Sequence, residues 1–228
     1  MAETADLGLS QLEPEGLAAE GSGWQQRKSA LTRTTILEAA IDCLERYGYA
    51  RTTTQLIAQT AGISRGAMLH HYATKQDLIA AVIDYTVYKR MESFIERIRA
   101  LSEHERIDDH AGIELYWQSL LTREFAAYLE LMVAARTDEE LREIFLPKAR
   151  HYDQVERDAV LAVFPEWQNH PLYSLSMDFC IAAMGGLLLN REIWEDPDRQ
   201  ARLRRAVSST ILQMRARKFD GTSRLSGP

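Results

Sequence analysis

The sequence predicts an all-α fold of about nine helices, and three observations lead to this prediction. From residue 30 to the C-terminal tail, apolar residues recur with the helical period, and no segment alternates convincingly like a strand. Residues that favour helix ends stand where the periodic segments begin and stop. The chain has 228 residues, of which 46% are hydrophobic and 26% charged, so it can form a sizeable core.

The first helices are short and clearly delimited. The first covers about residues 32–47, and the next two lie on either side of a tight turn at 62–64. Serine and threonine accept hydrogen bonds from free amides at a helix start, and glycine suits the left-handed backbone after a helix end. The delimiting residues are Gly48, Thr53, Gly62, Ser64 and Thr74, the last with Asp77 as its reciprocal capping partner.

Longer helices follow, and together they predict one helical bundle. Asp196 and Pro197 form a strong start signal for the last of them. Pro147 is expected to kink or divide the helix that contains it. The predicted ranges are 75–101, 109–122, 124–136, 138–164, 171–194 and 197–217.

Charge divides the chain into segments. Residues 1–24 contain five acidic and no basic residues, and their weak periodicity predicts a disordered acidic tail. Residues 25–78 carry a net charge of +3, residues 79–217 form the remaining helical domain, and 218–228 is predicted to be a flexible tail. The overall charge of −6 therefore does not exclude a nucleic-acid partner, because a small basic module lies between acidic segments.

Several classes of protein are disfavoured. The two cysteines, Cys43 and Cys180, are far apart and outside any zinc or redox motif, so neither a metal site nor a cofactor is predicted. The longest apolar stretch, 179–189, is too short to span a membrane, and the N-terminus does not resemble a secretory signal. We therefore expect a cytoplasmic protein. The chain has no catalytic or phosphate-binding motif, so we do not expect an enzyme.

Residues 53–72 have the pattern of a helix-turn-helix. In its second helix, Met68 and Tyr72 are one turn apart and are expected to pack inward. The opposite side carries the small residues Gly66 and Ala67, which allow a helix to approach a major groove closely.

This segment and the residues around it resemble the DNA-binding domain of the TetR (tetracycline repressor) family of transcriptional regulators. The resemblance covers about residues 31–83 in detail, and the helices of the remainder agree in number and length. It implies an N-terminal DNA-binding domain followed by a helical bundle for ligand binding and dimerisation. The matching residues are Ile36-Leu37, Ala39-Ala40, Gly48, Thr53-Thr54, Ile57-Ala58, the run 62–67, Tyr72 and Lys75.

Carried over position by position, the resemblance implies contacts with an operator in double-stranded DNA. Arginine suits guanine O6 and N7, and lysine beside free helix amides attracts phosphate. Where the family often has tyrosine, this chain has Leu69, which would favour a thymine methyl group. A metal site at His70 and His71 is the alternative, but adjacent helical side chains diverge by about 100°. The implied DNA-binding residues are Thr54, Gln55, Arg65, Gly66, Ala67, Leu69, His70, His71 and Lys75.

The resemblance also implies a homodimer formed by the last two helices. The helix at 171–194 is apolar on two stripes, so it has a surface for a second subunit as well as one for its own domain. The alternative is that this broad apolar surface is core. The implied interface residues are Leu175, Phe179, Ala182, Ala183, Gly186, Leu203, Val207, Thr210 and Met214.

A mostly apolar pocket for a small effector is implied in the middle helices, although an individual large side chain on such a helix is more often plain core. The implied residues are Trp117, Leu121, Phe125, Tyr128, Met132, Arg136, His151 and Tyr152.

We therefore expect a ligand-responsive regulator, a repressor by the family's usual outcome, that binds a palindromic operator as a homodimer. An activator and a DNA-binding regulator without a ligand are the alternatives, and an enzyme is the least favoured.

Overall fold

The computed structural model describes residues 7–17, 23–101 and 109–216. Over these residues the chain forms α-helices and two 3₁₀ turns (Tyr49–Arg51 and Pro165–Trp167) but no strand, so the all-α prediction is confirmed. The helices are α1 (Leu9–Leu12), α2 (Trp24–Tyr47), α3 (Thr54–Thr60), α4 (Arg65–His71), α5 (Lys75–Ala100), α6 (Asp109–Leu120), α7 (Arg123–Ala134), α8 (Glu139–Val163), α9 (Tyr173–Leu189) and α10 (Pro197–Ala216).

Helix α2 begins eight residues earlier than its predicted start at residue 32. The backbone amide of Gly23 donates to Oε1 of Gln26 over 3.2 Å, which stabilises the first turn. The added turns expose Trp24 and Leu31, so they carry no apolar stripe that could have revealed them. One expectation for Pro147 was that it divides its helix. Helix α8 instead continues through Pro147 without a break.

The described residues fall into two compact units. One contains the residues up to Arg97 together with Leu121–Asp158, and the other contains Ile98–Leu120 and the residues from Ala159 onward. This division differs from the expected boundary after residue 78. Helix α5 continues unbroken through that point, and α7 packs against α2, so the helix-turn-helix shares a unit with part of the second predicted domain.

The first unit has a core built on α2. Its buried face combines with α3, α4 and the first half of α5, all of which contribute side chains with almost no exposed surface. These side chains include Ile36, Leu37, Ile41, Leu44, Ile57, Met68, Leu78, Ile79 and Ile83.

The N-terminal segment (residues 7–17) belongs to this unit as well. Leu12 is only 6% exposed and Pro14 is buried, so the expected disorder of residues 1–24 is wrong for this segment. Two apolar side chains provide the docking surface that the acidic composition concealed. The rest of that tail, residues 1–6 and 18–22, lies outside the described residues, as does the expected C-terminal tail at 218–228.

The second unit is formed by α6, α9 and α10, which pack on one another. Its buried side chains include Trp117 on α6, Met184 and Leu187 on α9, and Ile211 on α10. Among the described residues, no helix combines the length and apolar content that a bilayer span requires.

Candidate nucleic-acid interface

Capping hydrogen bonds define the two helices of the helix-turn-helix. The hydroxyl of Thr53 accepts from the amide of Leu56, and that of Ser64 accepts from the amide of Ala67, each over 3.1 Å. Between the helices, Gly62 has a φ of +67°, a left-handed conformation that residues with a side chain rarely adopt. These features fix where α3 ends and where α4 begins.

The inner face of α4 is anchored in the core. Met68 is fully buried, and Tyr72 directly after the helix is nearly so. Ile57 and Ala58 of α3 are buried in the same core. The inward orientation predicted for Met68 and Tyr72 is therefore confirmed.

The opposite face of α4 is open to solvent. Its charged group is the guanidinium of Arg65 at the first helical position, and Leu69 exposes 38% of its surface. A backbone with so little side-chain bulk at 66 and 67 can approach base edges closely. The predicted residues exposed on this face are Arg65, Gly66, Ala67, Leu69 and His70.

His71 differs from the other predicted contacts because it is half-buried. Desolvation, then the positive charge of Arg33, then that of His70 lower the pKa of His71. The rings of His70 and His71 meet edge to face with centroids 5.5 Å apart. The described part of the chain contains no group of three or more side chains arranged to hold a metal ion.

Lys75 marks the start of α5. The amide of Thr74 donates to Asp77 and the amide of Asp77 donates to Thr74, each over 3.0 Å, as predicted for a capping box. The ammonium of Lys75 lies 4.2 Å from the ring centroid of Tyr49. Burial lowers the pKa of Lys75, and the carboxylate of Asp138 acts in the opposite direction. Lys75 thus belongs to a local cluster, whereas the other two predicted residues, Thr54 and Gln55, line the start of α3.

Helix α7 is joined to α2 by an ionic network that sequence reasoning missed. The guanidinium of Arg123 pairs with Asp42 over 2.6 Å and also with Glu38, to which the hydroxyl of Tyr85 donates over 2.5 Å. These residues come from three separate helices, so no sequence spacing relates them. The network holds α7 against the helix on which the helix-turn-helix is built.

A second polar contact connects α7 to the same region. The backbone amide of Tyr49, which lies in the 3₁₀ turn before α3, donates to Oε1 of Glu130 over 2.7 Å. A movement of α7 would therefore be transmitted to the C-terminal half of α2 and to the turn that precedes α3.

The same unit contains an aromatic cluster around a buried arginine. The guanidinium of Arg90 lies 4.5 Å from the ring centroid of Phe125, 5.3 Å from that of Tyr152 and 5.5 Å from that of Tyr128. The ring of Phe145 lies 5.1 Å from that of Tyr128. Burial raises the pKa of Tyr128 to about 12, against the opposing effect of Arg90, so this phenol stays neutral at physiological pH. Three of the eight predicted pocket residues meet here.

The remaining predicted pocket residues are not brought to this aromatic cluster. Trp117 belongs to the other unit, where the guanidinium of Arg204 lies 4.9 Å from its ring. The other four are exposed: Met132 and His151 lie on helices that turn a different side inward, and Leu121 and Arg136 lie in the turns on either side of α7. Apolar or aromatic character alone did not distinguish the inner face from the outer one.

An apolar stripe on α9 faces outward from the second unit. Leu175 and Leu189 are 48% and 62% exposed, so these two side chains are not part of the core of this unit. A side-chain carbon added at Gly186 would meet nothing within 4 Å, so another helix could approach it closely. The other predicted interface residues with at least partial exposure are Phe179, Ala182, Ala183, Leu203, Thr210 and Met214.

Val207 is the exception among the predicted interface residues. It is 8% exposed and packs within its own unit, because the inner face of α10 also carries the buried Ser208 and Ile211. Its assignment to a subunit interface is therefore a correction to the sequence prediction.

Comparisons with known proteins identify relatives of this architecture. The model of the family "Bacterial regulatory proteins, tetR family" matches residues 36–82. The HTH-type transcriptional regulator Rv2912c of Mycobacterium tuberculosis is 31% identical over 147 residues, which are 62% of this chain and 75% of that protein. The HTH-type transcriptional repressor AcnR of Corynebacterium diphtheriae is 30% identical over 137 residues, 58% of this chain and 63% of its own.

A solved structure shares the fold. A putative transcriptional regulator from Saccharomonospora viridis, in complex with choline, superposes with a TM-score of 0.60 at 16% identity, covering 80% of this chain and 96% of the other.

Proposed function

Because this chain belongs to the TetR family of transcriptional regulators, we propose that it represses transcription by binding a palindromic operator as a homodimer, and that a small effector releases it. Family membership places the chain among DNA-binding regulators and not among enzymes. The observation that carries the proposal is the capped helix-turn-helix, whose second helix buries Met68 and leaves Arg65, Gly66 and Ala67 exposed.

The DNA contacts follow from this exposed face. Arg65 would read a guanine, and the exposed Leu69 would contact a thymine methyl group instead of the phosphate available to a tyrosine. Gln55 and Thr54 at the start of α3 and Lys75 at the start of α5 would contact the backbone, where free helix amides add to the attraction for phosphate. His70 and His71 complete the proposed surface.

A homodimer would place two copies of α4 on successive major grooves, roughly 34–36 Å apart. The exposed stripe on α9 supports this proposal, since monomeric proteins rarely leave contiguous apolar surface uncovered. Leu175, Ala182 and Leu189 would lie along the length of this interface.

The effector site is proposed at the aromatic cluster formed by Arg90, Phe125, Tyr128, Phe145 and Tyr152. Such clusters suit small organic ligands, because apolar rings supply contact area and one polar group fixes orientation. The related fold from Saccharomonospora viridis, solved with choline, supports a small-molecule site in this architecture.

The repressor role is supported by the name of AcnR, a transcriptional repressor that shares 30% identity with this chain. Release would occur if the effector favours a conformation in which the two α4 helices no longer match the half-site spacing. The polar contacts of α7 with α2 and with the 3₁₀ turn before α3 support such a coupling.

Selection from random duplexes with the full-length protein tests the function directly. A palindrome should be enriched, and compounds that release it should raise the melting temperature of the protein. Failure to enrich any sequence would refute operator binding.

A regulator without an effector is the second candidate, and one observation favours it: the guanidinium of Arg90 lies over the rings that a ligand would contact. A screen in which no compound shifts the melting temperature or releases the selected duplex would support that alternative.

A further inference from the structure

From the contacts of the N-terminal segment (residues 7–17), we propose that this segment positions the recognition helix α4 by joining its base to α8. This inference rests on the proposed operator binding and adds a positioning element outside the helix-turn-helix.

One end of the segment is fitted to α8. Gly8 has a φ of +81°, and a side-chain carbon built there would lie 2.7 Å from Cγ1 of Val155, so glycine is the residue that fits. Three residues further on, the carbonyl oxygen of Gln11 lies 3.4 Å from Nε2 of His151. Val155 and His151 are one helical turn apart on α8, and the segment follows that face.

The other end reaches the base of the recognition helix. The guanidinium of Arg33 on α2 donates to the carbonyl oxygen of Glu15 over 3.5 Å. The same guanidinium lies 6.0 Å from the ring centroid of Tyr72, which directly follows α4 and is buried. Arg33 therefore connects the segment to the residue that anchors α4 in the core.

Between these ends the segment is anchored by apolar contacts. Leu12 and Pro14 are buried, whereas Glu13 and Glu15 point outward and are exposed. The segment borders a cleft of about 660 Å³ whose other walls include Leu37 of α2 and Pro147 of α8. Burial of apolar side chains is favourable, so these two residues contribute to holding the segment in place.

Neighbouring residues of α8 explain why this contact matters. Tyr152 belongs to the aromatic cluster around Arg90, while His151 and Val155 on the adjoining face contact the segment. A single helix therefore borders both the proposed effector site and a segment that ends beside Arg33 and Tyr72. Holding this arrangement pre-organises α4 for its groove, and pre-organisation increases affinity because less ordering remains to be done on binding.

The test uses the full chain and a duplex obtained by binding-site selection. Leu12→Gln removes the apolar anchor and Gly8→Val creates a collision with Val155, and neither changes the charge. Glu13→Gln is the matched control, since it alters an exposed side chain of the same segment and leaves both anchors intact. Affinities for the selected duplex and for a scrambled duplex are compared with hydrogen exchange over residues 31–37 and 147–155.

We expect Leu12→Gln and Gly8→Val to accelerate exchange in both regions and to weaken binding of the selected duplex about three- to thirtyfold, with little change for the scrambled duplex. Glu13→Gln should leave exchange unchanged and should strengthen both complexes by a similar factor at low salt.

Unchanged exchange in the two anchor variants would overturn the docking of the segment. Faster exchange with affinity unchanged, or with tighter operator binding, would overturn the positioning role. A wild-type chain that binds no selected duplex would instead refute the proposed function, and the exchange measurement would still report on docking.

Discussion

Arg65 occupies the first position of α4, where its side chain is exposed and its helix start is fixed by Ser64. If its guanidinium reads a guanine through two hydrogen bonds, Arg65→Ala should cost about 1–3 kcal/mol of operator binding and relax the preference at one base pair. Arg150→Ala is the matched control, because it removes the same charge from an exposed position on α8. Titration of each variant against the operator and its single-base substitutions would show the difference, and an equal loss on every duplex would instead indicate a phosphate contact.

The lowered pKa of His71 predicts a pH dependence of stability. An unfolded histidine titrates near 6.5, so below that pH the unfolded chain binds more protons at this site than the folded chain does. Stability should therefore fall as the pH drops through about 6.5 and should stop falling once the folded pKa has been passed. His71→Gln should show a smaller drop in melting temperature between pH 7.5 and 5.5 than the wild type.

His70→Gln provides the control for this effect. It should retain most of the pH dependence, because burial is the largest cause of the shift and the charge of His70 is the smallest. A His71→Gln curve that runs parallel to the wild type would show that His71 is not the titrating group.

At the scale of elements, the turn between α3 and α4 depends on one left-handed residue. A side-chain carbon at Gly62 would meet nothing within 4 Å, so a substitution there is opposed by backbone conformation alone. Gly62→Ala should lower the free energy of unfolding by about 1–2 kcal/mol, and Gly62→Asn should lower it less, because asparagine tolerates this conformation better. Urea denaturation of the two variants provides the comparison, and equal losses would mean that the φ of +67° does not determine stability.

Elements with local signals could be predicted from the sequence, and elements defined by distant contacts could not. The starts of α3, α4 and α5 were predictable because Thr53, Ser64 and Thr74 bond to amides three residues away. The early start of α2 could not be predicted, because the first turns of this helix carry no apolar stripe. The docking of residues 7–17 depends on contacts with residues 18 to about 150 positions away, such as Arg33 and Val155. The acidic residues of that segment are exposed, as its composition indicated. The composition gave no sign that Leu12 and Pro14 would be buried.

For the whole molecule, the same distinction applies to the candidate sites. The exposed face of α4 could be derived from a helical wheel, since burial of Met68 and Tyr72 determines which residues face away. The aromatic cluster could be predicted only in part, because Arg90 and Phe145 come from α5 and α8 and their meeting depends on tertiary packing. The ionic network of Arg123 was missed for the same reason.

Dimerisation is the prediction that involves the molecule as a whole. Leu175 is 48% exposed at the start of the apolar stripe on α9, and a glutamate there would place a charge in each half of the proposed interface. Leu175→Glu should elute from gel filtration at the mass of one 26.0 kDa chain, whereas the wild type should elute at twice that mass. Stability of the folded chain should change by no more than about 0.5 kcal/mol per site, because the residue is exposed in the single chain.

Operator binding links this change to function. With one helix-turn-helix on the DNA instead of two, the affinity of Leu175→Glu for the palindrome should fall about 100-fold or more. The slope of log affinity against log salt should be roughly halved, since half of the phosphate contacts are lost. Leu146→Glu is the control, because Leu146 is a 38% exposed leucine on α8, outside the proposed interface, and the same substitution there should leave both mass and affinity unchanged. A Leu175→Glu chain that keeps the wild-type mass and salt slope would exclude the α9 stripe as the dimer interface.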